Sequence, residues 1–162
     1  MWAIIKRKAT HMFDWLKNLR KPTVKKIAFI DGDQDIPSII SVYQQHLVGI
    51  ETHLVRLMPE GDQEPKLLRR VRGFNKVYLH DMSSGKEVVD KFIGAYIQKA
   101  VDEGYNHISV VSNDYDFIDI FKMITKLNPS KELTFRIIVP RGQGKIRKTQ
   151  TTVKIEVVHV TQ

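Results

Sequence analysis

The stretch "SVVSNDYDF", Ser109 to Phe117, decides how this chain reads. It extends Ile108 through Val110 and Val111, a short apolar run of the kind a buried strand shows. Asp114 and Asp116 follow within three residues of each other, and Phe117 and Ile118 then resume an apolar pattern. Two carboxylates this close repel, so the sequence must offset them with a cation or use them in a turn. Asp116 is suited to cap the helix that follows, but capping needs only one of the pair.

Outward from this stretch, strands and helices alternate. "IAFI", Ile27–Ile30, is a continuously apolar run and predicts a strand covered on both faces. Pro37 opens an expected helix through Leu47, and strands are expected near His53–Leu57 and Lys76–His80. Between them "PKLLRRVRG", Pro65 to Gly73, reads as a short basic helix stopped by glycine. "SSGKEVVDKFIGAYIQKAVDEG" gives the clearest helix, with capping-box spacing at Ser84 and Glu87 and Gly104 as its stop. A helix over Phe117–Leu127 and a strand over Thr134–Val139 follow, with a last strand over Val153–Val160 at an edge. This alternation predicts an α/β fold, a Rossmann-like three-layer sandwich around a mostly parallel sheet.

The 162 residues are the length of one domain, expected over 23–162 behind a basic leader at 1–22. Trp2, Ile5, Phe13, Trp15, Leu16 and Leu19 suit an amphipathic helix in that leader. The absence of cysteine excludes disulfides, thiolate metal sites and cysteine nucleophiles. No apolar run approaches the roughly 18 residues of a membrane helix, and residues 1–21 carry no signal-peptide core, so the expected location is cytoplasmic.

The net charge of +8 is unevenly spread. Residues 1–26 hold eight basic residues against Asp14, residues 141–154 hold five against none, and the middle carries slightly more acid than base. Basic flanks of this kind point to a polyanion, nucleic acid first and a membrane surface second, or else to a solvated face. Arg69, Arg70 and Arg72, with Arg141, Lys145, Arg147 and Lys148, are the candidate contacts to a nucleic-acid backbone. The leader also offers a surface for a protein partner, and self-association as a homodimer is compatible with it.

The acids gather where a doubly wound sheet builds its sites, at the carboxyl ends of strands. The first strand runs into "DGDQD" with Asp31, Asp33 and Asp35, the fourth into Asp114 and Asp116, and Asp90 lies one turn into the best helix. Gly94 at i+4 removes bulk beside Asp90. Clustered carboxylates need a cation to offset their repulsion, and hard divalent ions prefer such oxygen ligands. Phe74 is either a base-stacking platform or part of the core.

These same residues resemble the NYN domain, a branch of the PIN-like nucleases. "IAFIDGDQ" is similar to the family's strand ending in Asp-Gly-x-Asn, "GKEVVDKF" to its Lys-x-x-x-Asp helix start, and "ISVVSNDYDF" to its Ser-Gly-Asp-x-Asp-Phe turn. The resemblance spans about residues 25–140. It implies the strand order 3-2-1-4-5, which would bring Asp31 beside Asp114 and Asp116 with Asp90 closing the cluster. It implies an endoribonuclease in which Asp31, Asp90, Asp114 and Asp116 hold Mg²⁺ or Mn²⁺. Gln34 would orient water or phosphate, Ser112 would donate a hydrogen bond to an acid or to a phosphate of the RNA unless it is simply a turn residue, and Lys86 would contact the RNA. Gln34 stands in place of the family's Asn, Asn113 in place of its Gly, and Tyr96 where many relatives carry a further acid.

Other readings of these motifs are weaker. "DGDQD" superficially resembles the Asp-x-Asp motif of haloacid-dehalogenase-like phosphatases, but Asp35 stands where those enzymes usually carry Thr or Val. "RGQGK" lacks the spacing of a phosphate-binding Walker loop. The rival expectation is a catalytically silent RNA-binding or scaffold protein on the same fold.

Overall fold

The computed structural model describes residues 23–32, 36–58, 73–81, 88–140 and 152–160. Six strands form one sheet: β1 (Lys26–Asp31), β2 (Glu51–Met58), β3 (Lys76–Asp81), β4 (His107–Val111), β5 (Thr134–Val139) and β6 (Ile155–His159). Their order is β3-β2-β1-β4-β5-β6, and every neighbouring pair is parallel. The expected order 3-2-1-4-5 is therefore present, with the last strand added as an edge outside β5. Helices α1 (Ile36–Val42), α2 (Val88–Asp102) and α3 (Asp116–Leu127) are packed around it. α1 continues into a π-helical turn at Tyr43–Leu47, so the helix expected to Leu47 changes its winding halfway.

Period-two alternation divides each strand between two cores. Ile27 and Phe29 of β1 face one way and meet Val89, Ile93 and Ile97 of α2 and Phe117, Phe121 and Ile124 of α3. Ala28 and Ile30 face the other way and meet Ile39, Val42 and Leu47. This is why "IAFI" shows no polar alternation: both sides of the strand are covered. Phe74 packs against the second core, edge-on to Tyr43 at 5.8 Å, so it is at least in part a core residue.

Two glycines act through their missing side chains. A Cβ on Gly32 would lie 2.6 Å from Arg56 Cβ and 2.7 Å from the Val55 carbonyl, so the end of β1 can press against β2 only as glycine. Gly104 takes φ +90° and ends α2, with its N–H donating to the Val101 carbonyl and that of Tyr105 to the Ala100 carbonyl.

At the amino end of the sheet, His53 is buried between Phe29 and Tyr78. Its Nε2 lies 2.9 Å from Glu51 Oε1, so Nε2 carries the proton and donates to the carboxylate. Nδ1 is buried without a hydrogen-bond partner. Protonating it would place an unpaired N–H⁺ among aromatic rings. Burial therefore lowers the His53 pKa, against the opposing pull of Glu51. The Tyr105 hydroxyl also donates to Glu51, lowering the carboxyl pKa, while its own is pushed up to about 12.

The sign for stability follows from the histidine. Its folded pKa lies below the unfolded value of 6.5, so the unfolded chain takes the proton first. Stability should thus decline as pH falls below about 6.5. His53→Phe should flatten that decline in urea titrations between pH 7 and 5; an unchanged slope would remove His53 as its source.

Candidate metal centre

The sheet order reverses between β1 and β4, and loops at the carboxyl ends of those strands flank the crevice where α/β proteins bind ligands. Asp31 is the last residue of β1, and Ser112 and Asp114 follow β4 directly. Asp116 opens α3, and Asp90 is the third residue of α2. Both helices run back across the sheet from this end, so their amino termini bring two carboxylates to it.

Three carboxylates converge. Asp90, Asp114 and Asp116 each offer an oxygen within 4.8 Å of the others. Asp31, only 6 % exposed, stands outside this group and is tied to it through Ser112. The Ser112 hydroxyl, fully buried, donates to Asp31 Oδ2 at 2.9 Å and accepts from the Asp114 N–H at 3.1 Å. Asp114 Oδ1 in turn accepts the Asp116 N–H at 3.0 Å.

That bond revises the expected cap. Tyr115, with no side-chain cap, occupies the N-cap position, and Asp116 lies inside the helix. It is Asp114 whose carboxylate holds the first helical N–H. The second acid of the pair is then left exposed at the helix start, where the helix dipole favours its charge.

An all-oxygen donor set of three carboxylates fits a hard divalent cation. Oxygens on one Mg²⁺ at about 2.1 Å lie at most about 4.2 Å apart, so a group within 4.8 Å needs little side-chain adjustment to close around one. The identity of the ion is not fixed by the donors, since Mn²⁺ takes the same ligands.

Ser112 makes the hydrogen bond to an acid that is one of its two expected roles, and by accepting the Asp114 N–H it serves the turn as well. Ser112→Ala removes one donor to a buried carboxylate and the acceptor of the Asp114 N–H. The expected loss is about 1.5–3 kcal/mol, measured by denaturant unfolding. A loss under about 0.5 kcal/mol would show that the hydroxyl does not brace the turn.

Tyr96, where a further acid is expected, belongs to an aromatic stack. Its ring lies 4.0 Å from that of Tyr78, its hydroxyl is 3.0 Å from His80 Nε2, and His80 stacks on Phe92 at 3.6 Å. Gln34, Lys86, Arg69, Arg70, Arg72, Arg141, Lys145, Arg147, Lys148 and the leader lie outside the described residues. So do the basic helix expected at 65–73 and the capping box at Ser84 and Glu87, except that Gly73 itself is described. A cleft of about 580 Å³ between α2 and α3 opens beside Asp90 and Asp116, and no single motif announced it. Among the described residues no helix is long and apolar enough to cross a membrane.

The protein is thus an α/β protein with a parallel six-stranded sheet and an aspartate group at its switch point that could bind a metal ion. The chain matches no protein-family model and no curated protein sequence.

Proposed function

We propose that this protein is a metal-dependent endoribonuclease that hydrolyses phosphodiester bonds in RNA. The observation that carries the reading is the convergence of Asp90, Asp114 and Asp116 at the β1/β4 switch point. The resemblance of the three motifs to the NYN domain supports it, as do the basic flanks, which favour a polyanion over a small neutral substrate.

In this reading Asp90, Asp114 and Asp116 hold Mg²⁺ or Mn²⁺, and Asp31 adds its charge from behind Ser112. A bound divalent ion supplies a more acidic water and offsets charge on the phosphate. The protein's share is positioning. Ser112 fixes the turn by accepting from the Asp114 backbone and donating to Asp31. Asp114 orients the start of α3 and hence Asp116. Lys91, which follows Asp90 on α2, lines the neighbouring cleft and adds a positive charge on that side of the site.

A second reading, RNA binding without cleavage, is favoured by the filled position of Tyr96, whose hydroxyl is engaged with His80 rather than offered to an ion. Labelled single-stranded RNA incubated with Mn²⁺, with Mg²⁺ or with a chelator separates the two. Fragments that require metal support the nuclease. Retention of RNA without fragments supports the silent binder, and neither binding nor cleavage would sink both.

A further inference from the structure

We infer that the cleft between α2 and α3 is a nucleobase subsite, holding the base of the nucleotide whose phosphate lies at the aspartate group. This rests on the phosphate-binding reading above. Asp90 and Asp116 line the cleft and also belong to the carboxylate group, so the two sites are continuous. Its volume of about 580 Å³ is that of a small-ligand pocket.

The lining matches a flat apolar body with a polar edge. Gly94, Ala95, Ile120, Met123, Ile124 and Leu127 form its apolar surface. Met123 is 53 % exposed and Leu127 64 %, so apolar area is left facing solvent along the cleft. Gly94 faces Ile120 across the cleft, where a Cβ would only come into van der Waals contact with Ile120 Cγ2 at 3.4 Å.

Gln98 supplies the polar end. It stands eight residues beyond Asp90 on α2, about 12 Å along the axis, a distance on the scale of one nucleotide from phosphate to outer base edge. Its amide is already oriented: Nε2 donates to Asp102 Oδ1 and Oε1 accepts from Asn128 Nδ2, each at 3.0 Å. One N–H and one lone pair of that amide remain, a donor and an acceptor such as base edges present. To enter the cleft a base must be unstacked from its neighbours, either in a single strand or flipped out of a helix.

Adenosine 5′-monophosphate and ribose 5-phosphate, titrated in Mg²⁺ into protein with ¹³C-labelled methionine methyls, test this. The nucleotide should bind at least about fivefold tighter than the base-free sugar phosphate and shift the Met123 methyl resonance. Ala95→Leu, a helix-compatible change that fills the cleft, should erase that preference while leaving ribose 5-phosphate binding unchanged. Met123→Ser should reduce the preference, which guards against misfolding of the first variant. Equal binding of the two ligands with Met123 unmoved would overturn the subsite and leave the phosphate site standing. If neither ligand binds, both fall. A Met123 resonance that moves with protein concentration but not with nucleotide would place a second copy of the chain in the cleft and overturn the proposal.

Discussion

Asp114→Asn should cut RNA cleavage by about a hundredfold to a thousandfold while leaving the metal-free protein at least as stable as wild type. Both halves follow from the turn. The Asp114 Oδ1 that accepts the Asp116 N–H is kept by asparagine, so the start of α3 is still held. What is lost is one negative charge among three carboxylates within 4.8 Å, and with it the repulsion between them. Asp114→Ala differs, because it also removes the acceptor and should cost about 1 kcal/mol of stability, as loss of a cap does. Metal should raise the melting temperature of wild type, by about 2.7 kcal/mol of stabilisation at a hundredfold excess over the dissociation constant. The asparagine variant should show a smaller shift. Wild type and variant cleaving alike, with equal metal shifts, would remove the site from these residues.

Phe121→Ala should cost about 3–5 kcal/mol, a large part of the roughly 5–15 kcal/mol that holds a domain together. Phe121 is fully buried in the middle of α3 and stacks on Phe135 of β5 with ring centroids 4.3 Å apart. Truncation leaves a cavity between helix and sheet that fixed strands cannot close. The consequence reaches the aspartates, since the packing of α3 sets where Asp116 sits relative to Asp90 on α2. Urea unfolding should show the midpoint falling, and the metal-induced shift should weaken in the same variant. A cost below about 1 kcal/mol would mean that α3 is held mainly by its other contacts, Phe117 and Ile124 among them.

The strands were legible because burial writes itself into the sequence. "IAFI" is apolar on both faces, the run from Ile108 to Val111 is apolar but for the buried Ser109, and both are central strands of a fully parallel sheet. Gly104 marked the end of α2 because a positive φ there favours glycine. The pairing of Asp114 and Asp116 after a strand pointed to the aspartate group that could bind a metal, since repulsion between neighbouring charges needs a reason. Their division of labour was not legible. Which carboxylate meets a backbone N–H depends on φ and ψ in the turn, and it is Asp114, not Asp116, that does so.

Other relations arise only from tertiary structure. Ser112 joins Asp31 to Asp114 across 81 residues of chain, because the parallel register of β1 and β4 sets Ile30 beside Val111. The winding change at Tyr43 and the buried acceptor of His53 likewise have no local signature. The cleft between α2 and α3 is the same kind of fact. Helical periodicity sorts the residues of each helix into faces, but a space between two helices exists only once both are docked on one sheet. Sequence thus determined the elements and the chemistry at their ends, through burial, charge and backbone preference. Which aspartates share a site, and what space lies beside them, was decided by strand order and helix packing, which bring distant residues together.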